Sequence, residues 1–151
     1  DVGIPGVSFG VGPLLNIPTA SDDATGSGKW SAGIANVLFS AQSQIFQYGY
    51  LLTWQASFAG DDDRDDVNVA SFQPILIYQL GGGTYLRSTP IMSYDFESDG
   101  YSVPLGLGIG QVFKTARGSN NLFIEPQWSV ADDGAGWPEW QVFIGFNMIF
   151  Q

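Results

Sequence analysis

The sequence predicts an all-β protein, an antiparallel transmembrane β-barrel of about eight up-and-down strands occupying residues 1–151 as one domain. Three observations carry that expectation. Alternation of period two runs for ten or more residues at a time, long acidic connections alternate with short ones, and aromatic side chains collect at the ends of the alternating segments.

The alternating segments are 6–17, 30–41, 45–57, 68–80, 84–96, 101–113, 121–131 and 138–150. In the third, Phe46, Tyr48, Tyr50, Leu52, Trp54, Ala56 and Phe58 fall on one side, against Gln47, Gly49, Leu51, Thr53, Gln55 and Ser57. In the fourth, Ala70, Phe72, Pro74, Leu76, Tyr78 and Leu80 oppose Ser71, Gln73, Ile75, Ile77 and Gln79. The sixth turns Val103, Leu105, Leu107 and Ile109 one way and Ser102, Gly106, Gly108 and Gly110 the other. The seventh sets Leu122, Ile124, Trp128 and Val130 against Glu125, Gln127 and Ser129. In the last, Trp140, Val142, Ile144, Phe146, Met148 and Phe150 form an apolar row with no charge after Glu139. A half-buried soluble strand also alternates, but such strands usually have about 5–6 residues. Ten residues at roughly 3.4 Å each, tilted by about 40°, rise close to the ~25 Å apolar band of membrane barrels.

Joined antiparallel, these segments gather PTASDDATGSGK (18–29), FAGDDDRDD (58–66), ESDG (97–100) and DDGAG (132–136) at one end. The tighter QSQ (42–44), GGG (81–83) and KTARGS (114–119) fall at the other end, with both termini. Phe46, Tyr48, Tyr78, Phe146 and Phe150 near one end, and Trp54, Tyr94, Trp128 and Trp140 towards the other, read as two girdles at headgroup level.

Composition narrows the function classes. The 151 residues hold 15 acids and 5 bases, a formal charge of −10, which argues against nucleic acid as a partner. With no cysteine, disulfides and thiolate metal sites are excluded, and no apolar run is long enough for a spanning helix. The chain begins at Asp1 without a Met and reads as a processed or trimmed product. It has no histidine, which removes imidazole acid–base chemistry and His-based triads. LGLGIG (105–110) lies inside a strand and opens no helix, so it is not a nucleotide loop. The expectation is a protein that is not an enzyme and needs no cofactor.

Two groups of polar residues stand out. Arg87, Asp95, Glu125 and Glu139 sit within strands on the inward parity, and an Arg87–Glu125 pair with Gln73 and Gln127 is expected to stitch the lumen together. Asp22, Asp23, Asp61, Asp62, Asp63, Asp65, Asp66, Asp132 and Asp133 are expected in exposed outer loops. EF-hand spacing is missing there, so a solubilising surface is the first reading. Weak divalent binding against anionic lipopolysaccharide is the second.

Beyond these patterns, GVGPLLNIPTASD (10–22), GSGKWSAG (26–33), WQASFAGDDDRDDVN (54–68), QPILIYQLGGGTYLRSTPIMSYDFE (73–97), VPLGLGIGQVFK (103–114) and GWPEWQ (136–141) resemble a family of bacterial outer-membrane barrels grouped as phenol-degradation meta-pathway or "transporter" proteins. The resemblance implies an outer-membrane location and passage of hydrophobic aromatic solutes, and it supplies no catalytic residue. Family members carry further strands before the GVGP segment. The chain is therefore either an eight-stranded barrel in its own right or the C-terminal part of a larger one. The last strand resembles the signal read by the outer-membrane assembly machinery, with Phe150 as its terminal aromatic and Gln151 departing from the strict pattern. The expected partners are the bilayer, lipopolysaccharide and that machinery. A structural or surface-presenting barrel with a largely filled lumen is the first functional expectation, and a passive channel for small solutes is the alternative.

Overall fold

A computed structural model describes residues 3–20, 26–115, 118–134 and 136–150, which leaves Asp22 and Asp23 outside the described residues. Those residues form one antiparallel sheet of ten strands with no helix among them. In chain order the strands are β1 (Val7–Asn16), β2 (Lys29–Ser40), β3 (Phe46–Gly60), β4 (Asn68–Gly81), β5 (Thr84–Ser88), β6 (Met92–Asp95), β7 (Tyr101–Gly106), β8 (Gly108–Thr115), β9 (Gly118–Asp133) and β10 (Trp140–Phe150).

The ten strands lie on eight staves. β5 and β6 both pair with β4, and Leu76 opposite Ser88 keeps the same register as Phe72 opposite Met92. β7 and β8 both pair with β9, and Gly106 opposite Gln127 continues in phase to Ile109 opposite Ile124. The predicted fifth and sixth segments are each interrupted without losing register. Pro90 explains the first break: it has no N–H to give the ladder, and it restricts the backbone of Thr89 before it. At the second, Leu107 sits between two glycines and donates its N–H to Pro126 O at 3.3 Å.

Other boundaries are longer than the sequence suggests. β3 continues to Gly60, and β9 spans Gly118–Asp133, so Asp132 and Asp133 end a strand opposite Ser102 and Tyr101 rather than opening a loop. The GGG turn has φ of +96°, +61° and +82° at Gly81, Gly82 and Gly83, a conformation that costs other residues a clash at Cβ.

The two faces separate as the alternation predicts. Leu52, Phe72, Leu76, Leu105, Ile109, Ile124 and Ile144 are exposed on one face, while Tyr85, Phe123, Glu125 and Gln127 are buried on the other. A single sheet with no second layer can screen its own side chains only by curling around them. Arg87 on β5 confirms the curl, since its guanidinium lies 5.6 Å from the Phe143 ring on β10, three strands away. The buried row is therefore concave. Its packing alternates large with small. A Cβ on Gly110 would run into the Tyr85 ring, and one on Gly145 would run into the Phe123 ring. The glycines of β8 therefore accept Tyr85 and Glu125, whereas Phe123 leans over β10. Among the described residues, β1 pairs only with β2 and β10 only with β9, so the sheet has two edges.

Candidate functional site

The concave face is organised around Glu125. Arg87 on β5 stands opposite Gly108 on β8, and Glu125 lies on the next strand along the same line. Strands two apart are separated by roughly 9.6 Å, which two long side chains can span only if the residue between them is small. Gly108 meets that condition: a Cβ there would sit 2.7 Å from the Glu125 Cβ. Arg87 Nε donates to Glu125 Oε2 at 2.7 Å. The guanidinium also rests over the Phe123 ring, 3.7 Å from its centroid.

Glu125 is completely buried, and both its oxygens are occupied twice. Oε1 accepts from the Thr89 amide at 2.7 Å and from Gln127 Nε2 at 2.9 Å. Oε2 accepts from Arg87 Nε and from the Thr89 hydroxyl, the latter at 2.9 Å. Thr89 Oγ1 in turn accepts from Arg87 Nη2 at 2.5 Å. A carboxylate with four donors on two oxygens has no lone pair left for proton abstraction or attack. This arrangement is a clasp, and it pins the Thr89–Pro90 bend against the sheet. Its outer partners extend it: Gln73 Nε2 donates to Thr89 O at 3.0 Å and Gln141 Nε2 to Gln127 Oε1 at 2.8 Å. Beside it, Tyr85 donates to Asn121 Oδ1 at 2.7 Å.

The predicted lumen group is thus divided. Arg87, Glu125, Gln73 and Gln127 converge, but Asp95 and Glu139 do not. Asp95 ends β6 and turns to the 97–98 loop, accepting from the Glu97 amide at 3.0 Å and from Ser98 Oγ at 2.8 Å. Glu139 precedes β10 and is exposed, and its carbonyl accepts the Ser129 amide at 2.9 Å. Their parity is inward, but their level is the acidic end. Between the clasp and the 134–139 connection lies a hollow of about 210 Å³ whose lining includes Ser93, Ser102, Gln127, Trp137 and Gln141.

At the acidic end, Asp61, Asp62, Asp63, Asp65 and Asp66 are exposed, as are Asp132 and Asp133. Buried Lys29 reaches Asp66 at 3.0 Å, and Ser57 Oγ adds a bond at 3.2 Å. The Lys29 hydrogen bond, then that of Ser57, holds the Asp66 carboxyl below its usual range. The stability from this pair is present at neutral pH and fades as pH falls through the depressed value. Arg64 donates to Gly26 O, tying this loop to the preceding connection. Among the described residues no cluster of three or more metal-ligating side chains forms.

The predicted girdle residues divide between the two ends of the apolar face, with Phe72 exposed between them opposite Leu52. Phe46, Tyr48, Tyr78 and Phe146 are exposed towards the tight-turn end, and Trp54, Tyr94, Trp128 and Trp140 towards the acidic end. Trp128 is directly opposite Trp140, and Trp54 Nε1 donates to Asn68 Oδ1 at 3.1 Å. The Phe150 side chain lies outside the described residues.

Sequence reasoning missed Thr89, Gln141 and Lys29. The Thr-Pro dipeptide at 89–90 was the available signal for the first, since it marks a place where a strand amide leaves the ladder. No protein-family model, curated protein or solved structure matches the chain.

Proposed function

We propose that this chain is a bacterial outer-membrane β-barrel wall, structural or surface-presenting in role, with an interior largely filled at the level of the Arg87–Glu125 clasp. The observation that carries the reading is the apolar face, which displays exposed large apolar side chains on every stave. That is far more contiguous apolar surface than a soluble monomer leaves in water. A bilayer is the solvent that matches it, with the aromatic ends at headgroup depth. The motifs quoted above, which resemble outer-membrane transporter barrels, support the same location. The acidic connections then present a carboxylate surface to lipopolysaccharide and its divalent counter-ions, and β10 is the strand offered to the assembly machinery.

The direct test of the interior is planar-bilayer recording of the purified protein. A filled lumen gives an insulating insertion with at most brief openings, since eight strands enclose only enough room for packed side chains or one small ligand. Stable ohmic openings favour the second reading, a passive conduit for small solutes. One observation speaks for that alternative: away from the clasp the concave face is barer, with Val37 and Ile149 exposed by 38% and 64%.

Orientation is tested separately. An impermeant thiol reagent on intact cells is expected to label Asp62→Cys and to spare Gly82→Cys, because the long acidic connections face outward in barrels of this layout. Labelling at position 82 alone reverses the topology.

A further inference from the structure

Three of the inward-facing rings follow one rule. Phe39 on β2 stands opposite Gly49 on β3, Tyr85 on β5 opposite Gly110 on β8, and Phe123 on β9 opposite Gly145 on β10. In each pair the ring lies against the glycine of the following stave, and a Cβ on that glycine would crowd it. Phe143 on β10 is the fourth inward ring. It has no following stave in the sheet, and it is 47% exposed despite an edge-on contact with Phe123 at 5.3 Å between centroids.

Gly12 is its counterpart. It lies on the concave row of β1, has no positive φ to explain it, and a Cβ there would meet nothing within 4 Å. A strand-interior glycine without a packing neighbour weakens its strand for no local return. We infer that β1 is the stave that follows β10, pairing antiparallel in the register that sets Phe143 opposite Gly12. The inference rests on the barrel reading and deepens it by naming the seam.

The two strands are compatible in direction, because β1 runs towards the acidic end and β10 away from it. The register also works on both faces. Outward it sets Ile144 opposite Val11 and Phe146 opposite Phe9. Inward it sets Asn147 opposite Ser8, polar against polar. In hydrocarbon the unpaired amides and carbonyls of both edges need partners, and this pairing supplies them without changing which face meets lipid.

The chain has no cysteine, so introduced pairs report unambiguously. Gly12→Cys/Phe143→Cys is refolded into vesicles and oxidised, and Ser8→Cys/Asn147→Cys is tested in parallel because it leaves Phe143 intact. Both are expected to form an intrachain disulfide. Leu14→Cys/Phe143→Cys, displaced by two residues on the same face, is expected to react about tenfold more slowly, because diagonal neighbours lie beyond disulfide reach. A disulfide that forms only between chains gives the seam to a second copy and overturns the assignment. Protein that enters the vesicles but cross-links at neither pair also overturns it, leaving the membrane reading intact. Protein that stays outside the vesicles overturns both.

Discussion

Arg87→Ala is expected to destabilise the protein by about 3–5 kcal/mol, the cost of leaving a buried carboxylate without its charged partner. Glu125 keeps the Thr89 amide, the Thr89 hydroxyl and Gln127, but three neutral donors do not replace a guanidinium that also spans to Thr89 and covers Phe123. Arg87→Lys should recover only part of the loss, because one ammonium cannot reproduce the two-directional fork. The informative variant is Arg87→Met/Glu125→Gln. Removing both charges abolishes the unpaired ion, so the double variant should be more stable than Arg87→Ala alone. Denaturant titration in vesicles, followed by tryptophan fluorescence, measures all three. A double variant no better than the single one would show that the clasp matters through packing rather than charge.

Leu52→Arg is the second large effect. Leu52 lies at the middle of β3, between Asn36 and Phe72, on the apolar face. If that face meets hydrocarbon, an arginine near the midplane costs about 2–4 kcal/mol. On a water-exposed surface the same change would stay within about 0.5 kcal/mol. Leu80→Arg, exposed beside the GGG turn, should cost clearly less, because the penalty falls towards the interface. Equal effects at both positions would remove the depth dependence and, with it, the membrane.

The alternation of β3, β4 and β9 was legible because their register shifts fall near the strand ends, at Phe58, Leu80 and Val130. Each face meets one solvent along the rest, so parity alone sorts Leu52 from Thr53 and Ile124 from Glu125. The Arg87–Glu125 pair was legible for the same reason: two opposite charges of inward parity at one level have few other partners. The Thr89 contribution was not, because a backbone amide redirected from its ladder leaves no side-chain signature beyond the proline after it. Asp95 and Glu139 misled because parity gives the face but not the height. Eight residues beyond Arg87, Asp95 faces the right way at the wrong level, and Glu139 precedes its strand. The gap between β1 and β10 was invisible too, since alternation says nothing about how far a sheet bends.

The clasp also bears on the order in which the chain folds. β1 to β4 form successive hairpins in which each strand pairs with the next along the chain. The bonds to Glu125 from Arg87 and Thr89 join residues 36 to 38 positions apart, with a hairpin to be formed between them. Closing a longer loop costs more chain entropy, so these contacts come after the local ones. A lock set late contributes little to the folding barrier and most to the barrier against opening. The Glu125 clasp is therefore a device for persistence: without it the chain assembles at nearly the same speed and comes apart sooner.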